Sequence, residues 1–356
     1  MNNADCISTE DKMIHTKRLF FRDLLINRLK KKPTPLYLYW FVTENCNLQC
    51  SYCYGNFCKK PSRDLSIEES LQLVDAFSKG GVRRITILGG EPLLYKGIGD
   101  VVDRLNQKKI SCSILTNGTL VPDKIEVLRG VDEVGLSIDG CQEVHDSIRG
   151  PGNFNELLRA IDSVKKIKKS IVLTYTIFSE NINQLEYVLE FARKHRVYLT
   201  VNLAHGRIDE EKSIPVSKAD NESCREALRK IIEYKRKGYP VFRTYRTLKD
   251  MLAWPDYGID GSMVKPVSGF PICRFGQFAA CVTADGTLYP CFLGTESRQG
   301  RNILKNGFEE AWKHCRTIEH CRYCHVPCFI EYNALLNLSP TMISSVISKL
   351  ILKPLL

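Results

Sequence analysis

The sequence predicts an α/β protein: a partial (β/α)6 barrel followed by a small module built from a β-hairpin and a helix. Two patterns carry that expectation. From Leu36 to Leu203, short β-rich runs alternate with stretches of helical period, the order that yields a parallel sheet with right-handed crossovers. Farther along, Phe278–Thr283 and Thr287–Cys291 flank the turn Ala284-Asp285-Gly286. Asp-Gly between two β-rich runs is a strong hairpin signal.

The strands expected in order are Leu36–Val42, Arg84–Leu88, Ser111–Thr116, Glu133–Ile138, Ile171–Phe178 and Leu199–Leu203. Helices are expected at Ser66–Ser78, Ile98–Gln107, Asp123–Leu128, Phe154–Lys168 and Ile182–Lys194. Ser66-Ile-Glu-Glu69 has capping-box spacing, and Asn181 to Gln184 offers a weaker version. Six β/α units stop short of the eight of a closed TIM barrel, so the barrel is TIM-like and incomplete. The expected division is a basic amphipathic segment at 1–35, the barrel at 36–203 and a connector with one helix (Glu222–Lys237) at 204–261. The hairpin module follows at 262–334, then an amphipathic tail at 335–356.

At 356 residues with 44% hydrophobic content, the chain is long enough for one large domain plus an appendage. Its net charge of +11 gathers at Lys17–Lys32, Lys165–Lys169 and Arg225–Lys237. The middle group closes a predicted helix, where cations suit the dipole and face water, so nucleic acid is disfavoured as a partner. The polar, charged N-terminus lacks the apolar core of a secretory signal. Fifteen cysteines at short, metal-like spacings therefore point to ligands in a reducing cytoplasm rather than to disulfides.

Cys46, Cys50 and Cys53 form a C-x3-C-x2-C run at the end of the first expected strand, where the chemistry of such barrels sits. Three thiolates leave one iron of a cubane cluster without a protein ligand. The bland alternative is zinc, with Cys58 as fourth ligand. After the second strand, Gly89-Gly90-Glu91-Pro92 joins two glycines that admit close backbone approach to a carboxylate suited to a cationic amine.

With these motifs at successive strand ends, the chain resembles the radical S-adenosylmethionine superfamily from about Leu36 to Leu203. The resemblance implies a 4Fe–4S cluster on Cys46, Cys50 and Cys53, with S-adenosylmethionine chelating the open iron. It places Tyr52 beside the adenine and Gly89, Gly90 and Glu91 at the methionyl amine. Asn117 belongs to the matching segment after the third strand, and Ser137 and Asp139 to the one after the fourth. Arg149 matches an arginine that meets the cofactor's carboxylate. An external one-electron donor of the ferredoxin or flavodoxin kind, and scarce oxygen, are implied as well.

The C-terminal cysteines resemble the SPASM or twitch auxiliary-cluster modules of the same superfamily. The resemblance implies one further 4Fe–4S cluster on Cys273, Cys291, Cys321 and Cys324, with Cys328 the first substitute. Cys281, inside an apolar strand, is expected in the core. Cys6, Cys58, Cys112, Cys141, Cys224 and Cys315 are expected to be structural thiols. His205, Tyr245 and Trp254 are weaker candidates for lining a pocket.

The expected function is reductive cleavage of S-adenosylmethionine and modification of an unactivated C–H or C=C site in a small molecule, cofactor precursor or lipid. The lipid reading rests on amphipathic patterns at both ends, Phe21 to Leu29 and Ile343 to Ile351, which would let the chain rest on a membrane face. Neither pattern reaches the length of a membrane span. A peptide-modifying maturase is the alternative, although the segment before Leu36 is short for a peptide-recognition module. A non-catalytic iron–sulfur carrier or sensor is the second alternative.

Overall fold

The computed structural model describes residues 20, 22–29, 33–55, 57, 64–204, 220–257, 269–292, 299–318 and 321–340. His205, Cys6, Cys58 and the 343–351 pattern lie outside the described residues.

Six parallel strands form the barrel sheet: β1 (Tyr37–Thr43), β2 (Arg84–Gly89), β3 (Ser111–Thr116), β4 (Glu133–Ile138), β5 (Ser170–Ile177) and β6 (Tyr198–Leu203). They lie side by side in chain order, as right-handed crossovers through short α-helices require. The crossover helices are α1 (Ile67–Lys79), α2 (Ile98–Gln107), α3 (Ile125–Arg129), α4 (Gln142–Arg149), α5 (Asn153–Lys166) and α6 (Leu185–His195). The connector contributes α7 (Asn221–Arg236) and α8 (Tyr245–Leu252). Helix α4 was not anticipated; its eight residues carry only two apolar side chains, Val144 and Ile148, too few to show a helical period.

Local chemistry fixes the helix starts. Ser66 and Glu69 close a full capping box on α1, with Ser66 N donating to Glu69 at 2.8 Å and Glu69 N to Ser66 Oγ at 3.2 Å. The second box does not form. Asn181 is fully buried and spends its side chain on the end of β5, accepting from Phe178 N at 3.0 Å and donating to Thr176 O at 3.0 Å. Those bonds satisfy buried backbone groups; a 3-10 turn, Ile182–Gln184, then leads into α6 at Leu185.

The predicted hairpin is present as β7 (Ala279–Val282) and β8 (Thr287–Tyr289), followed by β9 (Arg301–Asn302). Gly286 takes φ +83 in the turn, a conformation that suits glycine. The strand pairing adds a connection that the sequence does not announce. β7 runs parallel to β1, Tyr37 opposite Ala279 and Tyr39 opposite Cys281, so the hairpin continues the barrel sheet. Three helices complete this end: α9 (Ile303–Asn306), α10 (Phe308–Cys315) and α11 (Pro327–Leu336).

The two faces of β1 serve different purposes. Leu38, Trp40 and Val42 join the core under the helices with Leu73 and Phe77, whereas Tyr37, Tyr39 and Phe41 join a second core with Phe275, Phe329 and four cysteines. Sheets buried on both faces usually read as unbroken apolar runs. Here the inward face is polar: Tyr37 Oη lies 2.7 Å from Thr86 Oγ1, which lies 2.9 Å from Ser113 Oγ. Helix α11 packs against this interior, Tyr332 stacking on Tyr37 at 4.2 Å and Glu331 pairing with Arg243 at 3.1 Å.

Candidate active site

The loop after β1 carries Cys46, Cys50 and Cys53, all half-buried, and it is fastened to the ends of three successive strands. At the end of β2, Gly90 N donates to Thr43 O at 3.0 Å and Glu91 N to Asn45 O at 2.8 Å. At the end of β3, Asn117 Nδ2 donates to Asn47 Oδ1 and Asn47 Nδ2 to Thr119 Oγ1, each at 2.8 Å. At the end of β4, Tyr52 Oη donates to Asp139 Oδ1 at 3.0 Å. The twin glycines have a local reason: a Cβ on Gly89 would stand 2.3 Å from Thr43 O, and one on Gly90 2.3 Å from Asn45 O. What the glycines admit is the backbone of the cysteine loop itself.

Glu91 is fully buried. Its Oε1 accepts from Leu93 N at 3.0 Å and Thr116 Oγ1 at 2.8 Å, and Oε2 accepts from Asn117 N at 2.8 Å. Burial pushes its pKa up to about 7, while the donors from Asn117, Leu93 and Thr116 and the charge of Arg149 pull it down. Before it meets any ligand, this carboxylate joins the end of β2 to that of β3.

Asp139 and Arg149, both buried, form a closed triad with the half-buried Tyr52. Arg149 Nε donates to Asp139 Oδ2 at 2.5 Å, and its Nη2 donates to Tyr52 Oη. A buried ion pair repays its desolvation only when the remaining polar atoms are also satisfied, and Tyr52 supplies that here. Nη1 is the guanidinium nitrogen that neither bond uses. His145, also fully buried, accepts from Asp139 N through Nδ1 at 3.2 Å. Burial and the Arg149 charge lower its pKa to about 4, so the ring is neutral with its proton on Nε2. That buried nitrogen has no hydrogen-bond partner, and the ring meets Phe154 edge-on at 5.8 Å. Ser137, half-buried, sits opposite Thr174 on the inward face.

Burial pushes the Cys46 thiol up to about 11, against the Leu48 N–H and with help from Glu91, Cys50 and Cys53. Burial also raises Cys50, and Arg149 opposes it. Three mutually repelling thiolates are costly until a cationic iron group lies among them. As placed, no three ligating side chains among the described residues surround a single point. The donor chemistry, soft thiolates on one loop, fits an iron–sulfur group.

At the other end, Cys273, Cys291 and Cys324 are buried in one apolar cluster. The Cys324 thiol is raised first by burial and then by the charges of Cys321, Cys273 and Cys291, so Cys324 neighbours each of the other three. Cys328 packs against the same cluster; burial raises its thiol, and the Arg243 charge and a hydrogen bond with Tyr39 oppose that rise. Cys281 is fully buried in β7, as expected of a core position. Trp254 is fully buried against Phe270 and His325 and packs rather than lining an opening, while Tyr245 is exposed at the start of α8.

Several contributors escaped the sequence reading. Asn47 is an ordinary residue whose role exists only through a strand end distant in sequence. Arg243 and Glu331 are brought together across the barrel opening. Tyr54 neighbours both Cys53 and the cysteines of the second core: burial raises its hydroxyl pKa first, and the charges of Cys53, Cys281, Cys328 and Cys291 add to it. Only its position next to Cys53 could have drawn attention to it.

Residues 40–192 match the Radical SAM superfamily. The mycofactocin maturase MftC of Mycolicibacterium smegmatis is 25% identical over 81% of this chain and 72% of its own. The AdoMet-dependent heme synthase of Methanosarcina barkeri is 26% identical over 81% of this chain and 85% of its own. The chain spans 54% of the Fe-coproporphyrin III synthase of the same organism, at 29% identity. Among solved structures, Streptococcus suis SuiB bound to S-adenosylmethionine superposes with a TM-score of 0.63 at 15% identity, over 85% of this chain and 72% of SuiB. anSMEcpe with bound AdoMet superposes at 0.61 and 20% identity, over 87% and 99%. These likenesses establish the fold, and the match over residues 40–192, with the geometry at the strand ends, identifies that part of the chain as a radical SAM domain.

Proposed function

We propose that Cys46, Cys50 and Cys53 hold a 4Fe–4S cluster and that S-adenosylmethionine binds across the strand ends lined by Tyr52, Gly89, Gly90, Glu91, Asn117, Ser137, Asp139 and Arg149. When bound, this pair supplies an electron and a sulfonium whose cleavage yields methionine and a 5′-deoxyadenosyl radical, which takes hydrogen from, or adds to, a substrate carbon. The observation that carries the reading is the fastening of one cysteine loop to three consecutive strand ends. That arrangement holds the ligands rigidly, as a preorganised site requires. Glu91 offers negative charge for a methionyl ammonium, and Arg149 Nη1 a donor for a carboxylate. The test is chromatography for 5′-deoxyadenosine after reduced, reconstituted protein is incubated with S-adenosylmethionine. The parent should form it and Cys50→Ala should not; no product from the parent would refute the activity.

The substrate we favour is a polar small molecule or cofactor precursor. Ser137, Thr174 and Thr176 are half-buried on the inward face of β4 and β5, and walls carrying hydroxyls desolvate poorly against a lipid chain. Among the described residues no helix is long and apolar enough to cross a membrane. A peptide substrate is the second reading, supported by the likeness to a maturase over most of the chain. In either case we assign Cys273, Cys291, Cys321 and Cys324 to one auxiliary cluster, within a functional unit at 262–334 that follows the barrel (36–203) and connector (204–261).

A further inference from the structure

The helical residues 22–29 pack on the auxiliary end of the molecule and leave an apolar face uncovered. Leu24 and Asn27 are buried, and Phe20 and Leu24 belong to the same core cluster as Cys273 and Phe278. The opposite side presents Leu25 at 54% exposure, Ile26 at 48% and Leu29 at 89%. Ile272, next to Cys273, is exposed too. Single exposed apolar side chains are ordinary; three on two turns of one short helix are not.

The rim of this face is cationic. Arg28 lies over the Phe278 ring, 5.9 Å from its centroid, and Arg274 follows Cys273 directly. Arg274 is held in place by Nε donating to Asn337 Oδ1 at 2.7 Å, and Asn337 Nδ2 donates to Ile272 O at 2.8 Å. An apolar centre with a basic rim, on a chain of net charge +11, is complementary to an acidic protein with an apolar tip. Electron carriers dock through small interfaces of this kind, steered by charge.

We infer that the face formed by Leu25, Ile26, Leu29, Arg28 and Arg274 is the docking site of a small acidic one-electron carrier that exchanges its electron with the cluster on Cys273, Cys291, Cys321 and Cys324. The inference rests on the proposed auxiliary cluster. In the exchange the reduced carrier loses one electron and the oxidised cluster gains it, with no bond made or broken. Cys273 lies in the same apolar cluster as Leu24, on the inner side of the docking helix.

The test uses a fluorescently labelled bacterial ferredoxin of net negative charge and the full-length holoenzyme. Binding should weaken about tenfold or more between about 50 mM and about 300 mM salt. The Arg28→Glu/Leu29→Asp variant should weaken it about tenfold at low salt. Reduction of the clusters by dithionite, which needs no docking face, should keep its parental rate in that variant. Parental affinity in the variant, or no binding by the parent at low salt, would overturn the docking face. The auxiliary cluster is checked separately, by the iron content of the Cys46→Ala/Cys50→Ala/Cys53→Ala variant. About four irons support it, and none would overturn that assignment while the binding data still judge the surface.

Discussion

Arg149 and Asp139, ten residues apart in sequence, form a buried ion pair with Nε 2.5 Å from Oδ2 at the carboxyl end of β4. The pair fastens α4 to its strand and, through Tyr52, fastens the cysteine loop to both. Breaking one half leaves a buried charge without its partner. Asp139→Asn should therefore cost about 3–5 kcal/mol of unfolding free energy, read from urea titration of the apoprotein. Asp139→Leu with Arg149→Met, which removes both charges, should cost clearly less. Equal losses for the two proteins would mean that the pair is not the fastening.

His145 gives stability a pH dependence. Its pKa falls from 6.5 in the unfolded chain to about 4 in the folded one, so the unfolded state binds more protons between those values. Its contribution is complete above pH 6.5 and is lost as pH falls towards 4, by about 3 kcal/mol in all. Denaturant midpoints across that range should flatten in His145→Asn relative to the parent. Parallel curves would show that the ring is not buried neutral.

Glu91→Gln tests the bridge between β2 and β3. One amide oxygen can still accept from Thr116, but the amide nitrogen then faces the Asn117 N–H. A buried donor without an acceptor costs about 1–3 kcal/mol, expected as a lower melting temperature even without cofactors. An unchanged melting temperature would place the carboxylate outside the fold's support.

Gly90→Ala puts a methyl group 2.3 Å from Asn45 O and 2.9 Å from Cys46 Cβ. Backbone must move, and the loop that moves carries the ligands. Iron bound after reconstitution should fall by roughly half in a protein with two cubane clusters, while far-ultraviolet circular dichroism stays parental. Full iron content would show that the loop tolerates the shift.

Cys324 and Cys328, four residues apart, should behave differently because Cys324 neighbours Cys321, Cys273 and Cys291, whereas Cys328 neighbours Tyr39 and Arg243. Cys324→Ala should lose about four irons per chain, and Cys328→Ala none. Equal iron loss would bring Cys328 into the ligand set.

How much of this was legible in the sequence follows from the range of the interactions. The strands and most helices were readable because period and capping are local: Ser66 finds Glu69 three residues away. Helix α4 was not, since Val144 and Ile148 alone do not make a stripe. The cysteine run, Glu91 and Asp139 could be named as site residues from motif and strand position. Their bonds could not, because Asn47 meets Asn117 only after two crossovers, and Tyr52 meets Arg149 only after three. The pairing of β7 with β1 was hidden for the same reason: a four-residue strand carries no mark of its partner.

On the proposed reading, the loop of Cys46, Cys50 and Cys53 presents an open iron to S-adenosylmethionine. The most direct measurement is the electron paramagnetic resonance spectrum of the reduced cluster in a Cys321→Ala/Cys324→Ala background, which isolates that loop. The account predicts a spectrum that changes shape and g-values when S-adenosylmethionine is added. A reduced-cluster signal identical with and without S-adenosylmethionine would contradict it.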